Sequence, residues 1–414
     1  MKVNEQKVSK MHTGQRYLGD KGLIALVAVL SAFVPLSTDL YLPALPSMSD
    51  YFQVSSSLTN LSLSLFFIFF SIGMLLWGPL SDKYGRRPIL LVGLAIYIAS
   101  SVACGLAWDV YLLILFRILQ AVGGSAGSAV ATAIIKDVYS GRRRESVLAL
   151  VQSMVVISPA VAPIIGAFML SFTSWHGLFW ILGLIGIASM VGSLLLEETI
   201  PSRYTGTVRQ SVRQLGTLLK NRGFTSLLLT FSLGSTASLA FIAESSYIYE
   251  VEFGLSAQLY SFYFALNAMG LILGPLFYLI LSRYFSRNSI IISCFAIMTL
   301  AGVLVSSFGN FGPLVFAFAL LPASLMGSCV RPAGVFLMLE QQKENAGAAS
   351  ALINCFGLIF GSTGMILVSI GGDNPILTLG IINIAVGLVC IGAWLAICKA
   401  NLAVEVSEMP LNAH

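Results

Sequence analysis

The sequence predicts an all-α membrane protein with 12 transmembrane helices in two pseudo-symmetric six-helix bundles. Three observations predict it. The first is composition: of 414 residues, 57% are hydrophobic and 10% charged, with a mean hydropathy of +0.88. Soluble domains carry about 25% charged residues, so this chain has too little polar surface to face water. The second is a series of apolar runs, each about as long as the ~20 residues a helical span needs. The third is the placement of the cations. It sets the direction of every run and places the net charge of +5 in loops on one side, which is no sign of nucleic-acid binding.

The runs fall near 22–44, 58–80, 88–106, 109–135, 146–170, 175–196, 224–248, 257–281, 288–308, 312–338, 346–370 and 376–398. In lipid only helices and closed barrels satisfy the backbone, and runs of this length without period-2 alternation are helices. The first is too long for a signal-peptide core and ends in no cleavage site, so it reads as a retained span. With the N-terminus placed in the cytoplasm, 21 of the 23 Lys and Arg residues lie on that side. They include Lys2, Lys7 and Lys10 in the tail, Arg142 to Arg144 after span four, Arg203 and Arg209 after span six, and Lys343 after span ten. The other two, Arg117 and Arg331, lie within spans, and the outer loops carry Asp50, Asp109, Glu250, Glu252 and Asp373 instead. Both termini are therefore expected in the cytoplasm. The expected organisation is an N-tail (1–21), a first bundle (22–196), a cytoplasmic linker (197–223), a second bundle (224–398) and a C-tail (399–414).

The six cysteines have no C-x-x-C spacing and read as packing residues, and His12, His176 and His414 form no ligand cluster. No G-x-x-x-x-G-K-[ST] loop is present, so uphill transport would run on an ion gradient, without a cofactor. No nucleophile–base or metal constellation points to an enzyme.

Four segments carry the functional signal. Gly78-Pro79-Leu80-Ser81-Asp82-Lys83-Tyr84-Gly85-Arg86-Arg87 joins spans two and three. Gly78 is expected to let helices approach, Gly85 to permit the turn, and Asp82 to cap a helix or pair with Arg86. An internal repeat echoes it 200 residues later in Leu281-Ser282-Arg283-Tyr284-Phe285-Ser286-Arg287, without the acid and the glycine. Span four carries Arg117-Ile118-Leu119-Gln120-Ala121-Val122-Gly123-Gly124. An arginine within a span costs at least ~2.5 kcal/mol and normally faces a cavity or an acid. Span one carries Ser37-Thr38-Asp39-Leu40-Tyr41-Leu42-Pro43-Ala44-Leu45-Pro46. Asp39 lies near the depth of Arg117, where desolvation and a nearby guanidinium act on a carboxyl in opposite senses. It reads as a proton carrier or counter-charge, or else as an interfacial acid at a span end set by Pro43 and Pro46. Span five carries Ser158-Pro159-Ala160-Val161-Ala162-Pro163-Ile164-Ile165-Gly166, a kinked helix with small residues.

Taken together these segments resemble the major facilitator superfamily of transporters, and the D-x-Y-L-P-A-L-P string of span one is typical of its Bcr/CflA drug-resistance exporters. The resemblance implies alternating access between two bundles, a small-molecule substrate, protons as the coupling ion, a monomer, and a bacterial inner membrane. It gives the loop of Gly78, Asp82, Lys83, Gly85, Arg86 and Arg87 the role of a latch between halves in the outward-open state. It gives Asp39, Arg117 and Gln120 proton coupling or substrate contact. Pro159, Pro163 and Gly166 match the antiporter motif, with Ala162 and Ala167 standing where the fuller form has glycine. The function implied is drug:proton antiport of lipophilic compounds. A proton-coupled symporter or a metabolite, amino-acid or siderophore exporter on the same fold stays open, as does a receptor or scaffold without turnover.

Two further charges are open in role. Glu244 near the outer end of span seven is a second proton or substrate carboxylate, or an interfacial acid. Arg331 in span ten serves the site or snorkels to the cytoplasm, with Pro332 loosening the backbone beside it. Phe33, Tyr41 and Tyr247 line a substrate cavity or belong to the core.

Overall fold

The computed structural model describes residues 15–200, 213, 215–342, 345–372, 374–400 and 402. Lys2, Lys7, Lys10, His12, Arg203, Arg209, Lys343, Asp373 and His414 lie outside the described residues. Among those described, eleven helices are long and apolar enough to cross a membrane, and a bent helix pair at the start makes a twelfth.

Span one is a broken series: Gly19–Ser31, Phe33–Asp39, the 3-10 turn Leu42–Ala44, and Leu45–Phe52. It bends by 47°. Pro35 has no N–H to offer the Ser31 carbonyl, so the helix turns there. Pro43 and Pro46 do not end the span as the sequence suggested. Each sits in the first turn of a new helical segment, where its missing N–H is not needed, and the chain continues helical to Phe52.

The remaining spans are Ser56–Tyr84, Arg86–Gly105, Val110–Val138, Gly141–Leu170, Trp175–Leu194, Arg222–Glu252, Ala257–Leu281, Arg287–Phe311, Pro313–Glu340, Ala346–Ser369 and Pro375–Lys399. Side chains of Asp109, Asn221, Ser256, Ser286 and Asn374 accept from backbone N–H groups at the starts of spans four, seven, eight, nine and twelve, satisfying donors that a helix leaves free. Span seven closes in a π-helical turn, Tyr247–Glu252. Span ten breaks at Val330 into Pro313–Cys329 and Arg331–Glu340, with Pro332 in the first turn of the second piece.

Each half packs on glycine contacts. A Cβ on Gly123 of span four would lie 2.5 Å from the Tyr97 nitrogen and 2.7 Å from the Gly93 oxygen of span three. In the second half Gly302 meets Gly380 across spans nine and twelve, and Gly361 and Gly364 of span eleven meet Leu239 and Thr236 of span seven. Small residues at these crossings let backbones approach, which is how helices associate in lipid. Gly78 has no such role: a Cβ there would meet nothing within 4 Å. The packing glycine of span two is Gly73, against Ser125.

The halves meet along spans two and eleven and spans five and eight. For orientation, the end bearing the 78–88 loop is called the basic end and the other the far end. Hydrogen bonds join the halves at the far end. Gln258 Nε2 donates to Ser171 Oγ (3.3 Å), and Ser261 Oγ donates to the Pro163 carbonyl (3.0 Å). Ser57 Oγ donates to the Ser369 carbonyl. From its midpoint span five stands clear of its neighbours on the basic side of these bonds, with residues 152–154, 156 and 157 all exposed. The bundle is closed at the far end and parted at the basic end.

Candidate functional site

Arg117 sits in the middle of the first half with 0% exposure. Its Nη1 donates to Gln120 Oε1 at 2.5 Å, one turn away on the same helix face. Gln120 Nε2 in turn donates to Ser101 Oγ of span three at 2.7 Å. The guanidinium is walled by aromatic rings from three other spans: Tyr41 of span one at 4.5 Å, Phe66 of span two at 4.2 Å and Phe179 of span six at 5.7 Å. Ring faces are negative and attract a cation, most strongly where water is absent. This box takes the place of the acid expected beside Arg117. Two of its donors, Nε and Nη2, have no partner among the described residues.

Asp39 is 5% exposed and accepts from Thr38 Oγ1 at 3.0 Å. It forms no ion pair with Arg117: the ion pairs among the described residues are Arg86–Asp82, Arg86–Asp137 and Arg143–Asp20. The expected Asp39–Arg117 pairing is therefore unmade in this state, although Asp39 lies two residues before the Tyr41 ring that covers Arg117. Span five presses on the same stretch. A Cβ on Gly166 would lie 1.8 Å from the Leu40 carbonyl oxygen, so only glycine lets the antiporter-like motif reach the residue after Asp39. Pro163, buried beside it, supplies the carbonyl that Ser261 of the other half binds, while Pro159 is only partly buried.

Glu244 is no interfacial acid. It is 3% exposed and accepts from Asn60 Nδ2 of span two and Ser369 Oγ of span eleven, both at 2.8 Å. Asn60 Nδ2 also donates to Ser369 Oγ at 3.0 Å. One carboxyl thus ties three spans of both halves at the far end. Tyr247 adds to the seal: its hydroxyl donates to the Leu45 carbonyl (3.2 Å) and shares a bond with Ser49 Oγ (2.8 Å), which is itself bonded to Thr59.

The aromatic cavity-lining residues are corrected by burial. Phe33, Tyr41 and Tyr247 are 0%, 0% and 7% exposed. Phe33 stacks on Tyr97 with centroids 4.6 Å apart, Tyr41 belongs to the Arg117 box and Tyr247 to the far seal. None faces open space.

At the basic end Gly85 ends span two with φ +110°, a conformation that favours glycine. Arg86 is the hub. It donates to Asp82 Oδ1 (2.5 Å) and Ser81 Oγ (2.7 Å), and through Nε to Asp137 Oδ2 (2.8 Å). Glu198 accepts from the backbone N–H groups of Arg86 (2.9 Å) and Arg87 (3.3 Å). Arg87 Nη2 donates to the Leu194 carbonyl at 2.6 Å, and Lys83 lies 5.3 Å from the Tyr84 ring. Asp137 and Glu198 were missed by sequence reasoning. Each is an acid just past a span end on the cation-rich side, and that contrast with its neighbours was the available signal. Apart from Glu198 at the start of the linker, these partners belong to the first half, so in this state Asp82 does not bridge the halves.

Arg331 is exposed at the break in span ten. No group of three or more His, Cys, Asp or Glu suited to a metal exists among the described residues.

Comparison with known proteins agrees with this architecture. The family model described as Major Facilitator Superfamily matches residues 27–365. An uncharacterized MFS-type transporter of Bacillus subtilis, YdgK, is 30% identical over 374 residues, covering 88% of this chain and 92% of that protein. The multidrug resistance protein MdtL of Escherichia coli is 31% identical over 235 residues, 56% of this chain and 60% of the relative. Among solved structures, the peptide transporter POT in complex with sulfate superposes with a TM-score of 0.72 at 14% identity, covering 95% of this chain and 98% of that one. A D-xylose–proton symporter superposes with a TM-score of 0.67 at 15% identity, covering 89% and 96%. At such identities these likenesses speak for the fold alone. Two packed six-span halves, closed together at one end and matched by the family model over most of their length, identify the chain as a member of the major facilitator superfamily, a multi-pass membrane transporter of small molecules and not an enzyme.

Proposed function

We propose that the chain exports small lipophilic compounds in exchange for protons, by rocker-switch alternating access, as a monomer in a bacterial inner membrane with both termini in the cytoplasm. The proton gradient is the driving force and no cofactor takes part. The observation that carries the reading is Asp39: a buried carboxyl without an ion-pair partner, in a broken span, with the glycine of the antiporter-like motif packed against the next carbonyl. The name of MdtL supports the drug-efflux part.

In the state described, open toward the cytoplasm under this orientation, Asp39 holds its proton, since an isolated carboxylate out of water is costly. Loss of that proton creates a charge that draws the two free N–H donors of Arg117. Cargo entry favours that loss, and cargo release at the far side lets a proton return. Two ligands whose binding is mutually exclusive, with exchange permitted only when one is bound, give antiport without sharing the same atoms.

The test is dye-reported proton movement in inverted membrane vesicles with a panel of lipophilic antibiotics and dyes. The expected result is that some compound collapses the gradient with the wild type and not with Asp39→Asn, while the variant is produced and folded at the wild-type level. Full coupled transport by Asp39→Asn would remove Asp39 from the proton path. Substrate-induced external alkalinisation in whole cells would instead establish uptake.

A further inference from the structure

Arg331 is a charge within a span that the first half's site leaves unused. Among the described residues it makes no hydrogen bond, ion pair or ring contact, and its side chain is exposed. The face it occupies is fixed by its neighbours. Gly327, four residues before, has Ser238 Oγ of span seven 3.6 Å from a built Cβ, and Gly334, three residues after, has the Phe231 ring of span seven at 2.6 Å. Residues three and four apart share a helix face, so Arg331 is turned toward span seven. The lipid face of span ten is marked by exposed Leu314, Phe318 and Phe336, and five residues separate Arg331 from Phe336, roughly 140° around the helix. Exposure of Arg331 is therefore exposure to the gap between the halves and not to hydrocarbon.

Polar groups flank it. Ser238 lies one turn from Ser235, which is 3.6 Å from a built Cβ on Gly357 of span eleven. Asn354, one turn before Gly357, is exposed. A guanidinium on span ten, two hydroxyls on span seven and a carboxamide on span eleven thus lie along adjoining helices whose crossings are glycine contacts. By contrast the acids Asp39 and Glu244 are buried away from it.

We infer that Arg331, with Ser238 and Asn354, binds an acidic group of the cargo, so that the preferred substrates are lipophilic organic anions or zwitterions bearing a carboxylate, sulfonate or phosphate. This rests on the reading of the gap as the cargo path and narrows its substrate class. A guanidinium meets such a group through two parallel N–H donors, which a point charge cannot do. The apolar body of the cargo packs on the glycine-walled surface beside it.

The test is equilibrium binding to the purified full-length chain in phosphatidylcholine nanodiscs, without a pH gradient and referenced to empty discs. The probes are 1-pyrenebutyrate and the uncharged 1-pyrenebutanol. The wild type is expected to bind the acid at least about tenfold more tightly than the alcohol. Arg331→Gln is expected to erase that preference with the alcohol unchanged, and Arg331→Lys to keep part of it. Equal binding of both probes by the wild type, survival of the preference in Arg331→Gln, or loss of both probes in that variant overturns the assignment. Because no gradient is used, failure of proton coupling in vesicles leaves this result standing, and a failed preference here leaves coupling through Asp39 standing.

Discussion

A buried arginine is stable only if its charge is met, and Arg117 meets it with rings and a carboxamide. Gln120 is the hinge of that arrangement, accepting from Arg117 and donating to Ser101. Gln120→Ala leaves another buried donor of Arg117 unpaired, a loss of about 1–3 kcal/mol. The expected outcome is a clear fall in thermal unfolding temperature in detergent, which Gln120→Glu does not reproduce. The two loop glycines make a second contrast. Gly78→Ala is expected to be silent, within about 0.5 kcal/mol, because nothing lies near its Cβ. Gly85→Ala forces a left-handed residue and meets the Glu198 carboxylate at 2.4 Å, costing at least about 1–2 kcal/mol. Equal behaviour of the two variants would refute the distinction. At this scale the charged residues were legible because a charge in an apolar run is conspicuous. Their partners were not: Phe66 and Phe179 look in sequence like any lipid-facing phenylalanine, and only the fold brings spans two and six to span four.

Among the elements, the informative ones are broken. Spans one and ten each interrupt their helix beside a charge, Asp39 and Arg331, and a proline stands in the first turn after each of these breaks. Breaks of this kind in a membrane survive where protein or water satisfies the freed groups. Span five depends on its glycine. Gly166→Ala places a methyl against the Leu40 carbonyl at 1.8 Å, and overpacking of this sort costs about 1–3 kcal/mol. The expected outcome is a lowered unfolding temperature with impaired coupling, whereas Gly177→Ala, whose Cβ first meets the Thr173 side chain of its own turn, leaves coupling intact. Normal coupling in Gly166→Ala would separate the motif from Asp39. The number of spans was legible from length, and so, roughly, were the limits of all but the first. Pro43 and Pro46 misled because proline reads equally as a stop and as a first-turn residue. The continuation to Phe52 depends on burial of Leu45, Met48 and Ser49 against other spans.

For the whole molecule, the proposed alternating access makes the far-end seal one of two states. A short bis-methanethiosulfonate, which joins Gln258→Cys to Ser171→Cys through two disulfides with release of sulfinate, in a Cys398→Ser background that removes the exposed native thiol, is expected to fix that end shut and stop transport, with reversal on reduction. Continued transport by the linked protein would exclude opening there. The two-bundle organisation was legible from the repeat and the cation asymmetry. The state was not, since it rests on side chains such as Asn60 and Ser369, neutral residues whose meeting across 309 positions leaves no local mark.

The 78–88 loop of the first half and the far-end seal between the halves are held by different forces, and dissolved salt distinguishes them. At the basic end the hub of Arg86 with Asp82 is partly open to water, Asp82 being 49% exposed, so mobile ions screen it over about 10 Å at 0.1 M. At the far end the ties are short, mostly neutral bonds around one buried carboxyl, beyond the reach of counterions. Ionic strength therefore acts on the fold of the 78–88 loop and leaves the far-end seal untouched, so salt on that side is expected to loosen the loop without opening the far end.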